Sequence, residues 1–140
     1  MKIKCQIMLI DGKTNKNKRI YTNEAVENIL NTWKEHRDII FGMDEENPNY
    51  KPTDICGRVD NVYLEGNIVV IEGELFDNHT GTKILKQLRE VGLNMYITTT
   101  GYGILSEDGK TVKDFELYYF NLTNDSSFDV YAIQELLELN

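Results

Sequence analysis

Two apolar runs flank the tripeptide Glu65-Gly66-Asn67, and no other feature constrains the fold as much. Ile55 to Leu64 leads into it, and Ile68-Val69-Val70-Ile71-Glu72-Gly73-Glu74-Leu75-Phe76 leads out. The chain therefore doubles back as a strand pair through a short glycine-bearing turn. Around this hairpin the pattern changes period. Positions 2–10 alternate, with Ile3, Cys5, Ile7 and Leu9 on one face, which predicts a half-buried strand. From Thr22 or Asn23, either of which can cap a helix, Val26, Ile29, Leu30, Trp33 and Ile40 recur at helical spacing, and the helix ends before Gly42. Residues 42–54 form a long loop holding both prolines. A second helix begins near Thr80, places Ile84, Leu85, Leu88 and Val91 on one face, and stops at Gly92. Leu93 to Leu105 is a strand interrupted by Gly101-Tyr102-Gly103, and the turn Ser106-Glu107-Asp108-Gly109-Lys110 connects it to a strand around Val112–Leu122. Val130, Ile133, Leu136 and Leu137 are spaced for a short amphipathic helix over 130–139.

The sum is an α+β fold: about six strands in one mixed or antiparallel, barrel-like sheet with two or three flanking helices. With 140 residues it is a single domain, 1–140. Apolar residues make up 41%, too many for a disordered chain. No apolar stretch approaches the roughly 18–20 residues of a membrane span. The basic-then-apolar start lacks a continuous apolar core and a cleavage site, and Asp11-Gly12-Lys13 interrupts it, so it is read as a strand rather than a signal peptide.

The net charge of −8 argues against a surface that wraps nucleic acid. Charge is nonetheless uneven. Residues 1–20 carry six cations (Lys2, Lys4, Lys13, Lys16, Lys18, Arg19) against Asp11, whereas residues 114–140 carry six carboxylates and no cation. Lys13, Lys16, Lys18 and Arg19 at one end, and Glu135 and Glu138 at the other, are therefore candidate docking residues, within one molecule or between copies.

Conventional catalytic arrangements are thin. Cys5 and Cys56 are far apart in strand-like runs and read as reduced, buried thiols. The absence of Cys-x-x-Cys, and the isolation of His36 and His79, give no zinc site. Asp44-Glu45-Glu46 followed by Asn47-Pro48-Asn49 has the oxygens for calcium but not the spacing of a calcium loop, so no metal and no cofactor is expected. Asn-x-Ser/Thr sequences begin at Asn78, Asn121 and Asn124 and matter only in a secreted chain. Thr98-Thr99-Thr100 suits a strand; as a nucleophile any of the three needs a nearby base, for which His36 and His79 are the candidates.

Several strings, in order, resemble the prohead maturation proteases of tailed bacteriophages, which share the herpesvirus assemblin-type fold. Asn17-Lys18-Arg19-Ile20-Tyr21 before a helix is similar to that family's Asn-Gly-Arg-Ile-Tyr. Gly57-Arg58-Val59-Asp60-Asn61-Val62-Tyr63 and the following turn and strand resemble its central hairpin, and Asp77-Asn78-His79-Thr80-Gly81-Thr82-Lys83-Ile84-Leu85 its Asp-Thr-Pro-x-Gly-x-x-Leu helix start. Gly92 to Gly103 falls where the family has a glycine, an apolar stretch and Ser-Ser-Arg-Gly-x-Gly; Asn124-Asp125-Ser126-Ser127-Phe128 is similar to its closing turn. The resemblance spans residues 9–132.

The departures fall on the chemistry. The resemblance puts the family's nucleophilic serine at Thr98, beside Thr99, and its arginine at Thr100. Its histidine string, Gly-x-x-Asp-His-Pro, stands here as Gly42-Met43-Asp44-Glu45-Glu46-Asn47-Pro48, without histidine. A carboxylate of ordinary pKa is a poor base for a hydroxyl. The resemblance thus implies a phage head structural or assembly protein on a silent protease fold. Its partners would be head, scaffold or portal proteins or further copies of itself, in the host cytoplasm during assembly and in the virion. An active serine/threonine peptidase and a small protein that binds a host factor are the alternatives.

Overall fold

The structure, a computed structural model, describes residues 1–9, 19–43, 54–123 and 137–138. Its elements, in chain order, are β1 (Lys2–Leu9), β2 (Ile20–Tyr21), α1 (Asn23–Glu35), β3 (Ile40–Gly42), β4 (Gly57–Glu65), β5 (Ile68–Leu75), α2 (Thr80–Glu90), β6 (Tyr96–Leu105), β7 (Thr111–Thr123) and β8 (Leu137–Glu138). All eight strands join one mixed sheet in the order β2-β7-β3-β4-β5-β1-β8, with β6 along the other edge of β7. The pairings of β7 with β2 and β3 are parallel and the rest are antiparallel. The sheet curls until β1 packs against β6, with Cys5 beside the backbone of Ile97, which makes a half-barrel. β2 and β8 are two-residue pieces, so the expected α+β fold of about six substantial strands is what forms.

Local chemistry explains the boundaries. Gly66 takes φ +64°, the left-handed conformation that a tight β4–β5 turn demands and that glycine adopts without a Cβ penalty. The Thr22 side chain caps α1 by accepting from the Ala25 N–H at 3.1 Å. Ala25, Val26, Ile29 and Trp33 then form the stripe that α1 buries.

Four expectations need correction. α1 stops at Glu35, and Ile40 lies in β3 rather than in the helix. His36, Arg37 and Asp38 are polar and exposed, whereas Ile39 and Phe41 are buried on a period of two. The backbone from Ile40 to Gly42 then pairs with β4 on one side and β7 on the other. Second, β6 is not broken at Gly101; it continues to Leu105 through a bulge between Thr100 and Gly101. A Cβ at Gly101 would collide with the Glu116 carbonyl and the Phe115 ring, so glycine permits the close approach of the strands. Third, the apolar face of α2 is narrower than expected: Leu85 is in the core and Leu88 against it, while Ile84 and Val91 are exposed. Fourth, Leu137 and Glu138 do not continue a helix; they pair with Lys4 and Ile3, taking up the free edge of β1. The remainder of the proposed 130–139 helix lies outside the described residues.

Candidate functional site

Three strands place one row of residues side by side. Thr98 of β6 pairs with Asn121 of β7, and Asn121 pairs on its other side with Gly42 of β3. Partners in register share a face of the sheet, so Thr98, Asn121 and Gly42 form a line across it. Thr98 is half-buried. Asn121 is fully buried, and neither its amide nitrogen nor its amide oxygen has a hydrogen-bond partner among the described residues. Gly42 lies flat beneath Tyr119, whose ring would be 2.9 Å from any Cβ placed there.

Gly42 hands the chain to Met43, whose sulfur packs over Gly81 in the first turn of α2. Met43, the last described residue after β3, thus lies next to a helix N-terminus. Asp44, Glu45 and Glu46 themselves lie outside the described residues. Cys56 supports this corner, with its thiol toward the Phe41 and Gly42 carbonyls at 3.4 and 3.7 Å.

The remaining candidates have other duties. His79 is the N-cap of α2: its Nδ1 accepts from the Gly81 N–H at 2.9 Å, which occupies one of the two ring nitrogens. His36 caps the other end of α1 and faces a groove with Thr32 and Tyr118. Thr99 hydrogen-bonds with Tyr21, whose phenol burial pushes up in pKa against the opposing pull of Thr99 and Arg19. Thr100 is buried opposite Tyr119. Among the described residues, no hydrogen bond joins an imidazole to Thr98, Thr99 or Thr100. The residue in register with Thr98 on β7 carries a carboxamide, which cannot take up a hydroxyl proton near neutral pH.

Asn121 is the site residue that sequence reading missed, although a signal existed. It sits in Tyr118-Tyr119-Phe120-Asn121-Leu122, and asparagine is depleted from buried strands. Its burial also removes it as a glycan acceptor, whereas Asn78 is exposed. Of the candidate docking residues, Arg19 is described, Glu138 is described as a backbone position in β8, and Lys13, Lys16, Lys18 and Glu135 fall outside. No group of three or more metal-ligating side chains occurs among the described residues, and no helix among them is long and apolar enough to cross a membrane.

Cys5 and Cys56 are not in a disulfide, and burial pushes each thiol up to about 12. The thiolate is the reactive form. Native protein at pH 8 is therefore expected to resist iodoacetamide and to take up two equivalents only after denaturation, as read by intact mass. Labelling of the native chain at the rate of a free thiol would show that this interior opens readily.

No protein-family model matches the chain, and no curated protein matches it either. Among solved structures it is similar to the bacteriophage T4 capsid assembly protease, gp21, at 17% identity over 86% of this chain and 80% of that one, with a TM-score of 0.73. At that level of identity the likeness speaks for architecture: the curled mixed sheet, with its two helices and its Gly42–Asn121–Thr98 row, is built on the fold of a phage capsid assembly protease.

Proposed function

We propose that this chain is a phage head assembly protein that works by binding other head proteins and does not cut them. The observation that carries the reading is the pairing of Thr98 with Asn121. A hydroxyl needs a general base to attack a peptide carbonyl, and the group in register beside it is a neutral amide. The segment in which the related proteases keep a histidine reads Asp44-Glu45-Glu46, consistent with a scaffold kept after its reaction was lost. Binding would then take place in the host cytoplasm during head assembly, with carry-over into the virion. The partners would be scaffold, capsid or portal proteins or further copies, and the basic 13–19 stretch and the acidic C-terminal segment would serve as contact surfaces.

Coexpression with the candidate scaffold and capsid proteins tests both halves. The expected result is copurification of at least one head protein, with intact masses unchanged and identical for wild type and Thr98→Ala. Cleavage that Thr98→Ala abolishes would overturn the reading in favour of a serine/threonine peptidase. Absence of every head protein from pull-downs of infected cells would remove its binding half.

A further inference from the structure

α1 presents two stripes, and only one belongs to the core. Asn28, Thr32 and Glu35, at i, i+4 and i+7, line the side of the helix facing the β6–β7 hairpin. On that hairpin Tyr102 stands opposite Glu116 and Ile104 opposite Asp114. Tyr102 is 62% exposed and Ile104 49% exposed. Between helix and hairpin lies a groove of about 510 Å³. A smaller one of about 210 Å³, sharing Thr32, extends it past Asp38 and Tyr118. The Asn28 amide donates to Asp114 Oδ1, fixing one carboxylate in the groove.

The charges in this trough have one sign. Glu35, Asp114 and Glu116 line the larger part and Asp38 the smaller, beside His36, and among the described residues no lysine or arginine lines either. None of the four carboxylates is in an ion pair among the described residues. Asp114 and Glu116 are two residues apart on one strand, roughly 7 Å, so an extended partner chain meets them with every second side chain. Beside them two large apolar side chains stay wet, a combination typical of protein contact sites. Nucleic acid has the wrong charge for this surface.

We propose that the groove between α1 and the β6–β7 hairpin holds an extended lysine- or arginine-bearing segment of a partner protein. Its cations lie between Glu35, Asp114 and Glu116, and an apolar side chain covers Tyr102 and Ile104. A cation over the Tyr102 ring gains further from the negative face of the aromatic system. The inference gives the binding reading above a surface and a partner chemistry, yet it is testable on the isolated chain.

The probe is a fluorescein-labelled peptide of alternating arginine and leucine, titrated with the full chain and read by anisotropy. An alternating glutamate–leucine peptide is the control. Binding of the basic peptide is expected to weaken roughly tenfold or more in Glu35→Gln/Glu116→Gln and severalfold in Tyr102→Ala, and to weaken with added salt. All three positions are surface ones, and unchanged circular dichroism and melting temperature confirm that each variant is folded. No binding, equal binding of both peptides, or affinity unaffected by the charge change would each overturn the proposal. So would self-association of the wild-type chain that Glu35→Gln/Glu116→Gln abolishes, because the occupant would then be a second copy. Failure here leaves copurification with head proteins standing, and failure of that copurification leaves the groove standing.

Discussion

Replacing Phe41 with alanine is expected to lower the unfolding free energy by about 3–5 kcal/mol, the range for truncating a fully buried aromatic side chain. Two features put this position at the top of that range. Phe41 has no exposed surface, and β3, the three-residue strand carrying it, is the sole link among the described strands between β7 and the β4–β5–β1 side in the sheet order. Its neighbours in register are Phe120 on β7 and Gly57 on β4, and its carbonyl accepts the Cys56 N–H at 2.9 Å. Its ring packs directly over Gly73 of β5, where a Cβ would collide with both the ring and the Arg58 carbonyl. Truncation therefore leaves a cavity where the two parts of the sheet meet, and glycine at 73 has no side chain to fill it. Urea unfolding followed by Trp33 fluorescence should show the loss, with a melting temperature roughly 10 °C lower. A change under about 1 kcal/mol, the cost of a well-tolerated core swap, would mean that β3 does not join the sheet as described. Gly73→Ala supplies the converse test, because it overfills the same spot, and in a double-mutant cycle with Phe41→Ala the two changes should partly compensate.

The same strand shows where sequence reading stopped. The β4–β5 hairpin was legible because its signal is local: alternating apolar residues around a glycine that takes a positive φ. The α2 boundaries were legible for a similar reason, with polar residues before the first turn and Gly92 after the last. β3 was not, because Ile40–Gly42 becomes a strand only by pairing with β4 and β7, whose partnering residues lie beyond the 42–54 stretch in one case and about 80 positions away in the other. Periodicity alone assigned Ile40 to the preceding helix. Thr98 was found by resemblance, but its neighbour was not, and the reason is geometric. Counting back from the pair Leu105–Val112 by simple hairpin arithmetic sets Thr98 opposite Tyr119. Two bulges, between Ile104 and Leu105 and between Thr100 and Gly101, each add one residue on β7 and move the partner to Asn121. Bulges of this kind are set by close strand contact, here by Gly101 against Glu116 and Phe115, which no single-strand pattern records.

That register carries a second prediction. Asn121→Leu is expected to raise the unfolding free energy by about 1–3 kcal/mol, the desolvation penalty of a buried polar group left unpaired. Leucine is close to asparagine in shape and removes two polar atoms that have no exposure and no partner among the described residues. Thr82→Val offers the matched control, since Thr82 is equally buried, with a hydroxyl unpartnered among the described residues, but lies in α2, outside the Gly42–Asn121–Thr98 row. Both substitutions should stabilise the fold in urea unfolding. Only the change at 121 should alter what the Thr98 surface binds, measured as recovery of head proteins in the pull-down. The physical reasoning is that Asn121 is itself out of a partner's reach but is paired with half-buried Thr98, so a change at 121 is felt at the Thr98 surface through the paired strands, whereas Thr82 lies on a different element. Destabilisation by Asn121→Leu would mean that the amide is satisfied in the folded chain. Stabilisation by both variants with identical binding would mean that the row is a relic of the protease fold, and the binding surface of this protein would then lie elsewhere, with the groove beside α1 as the first place to look.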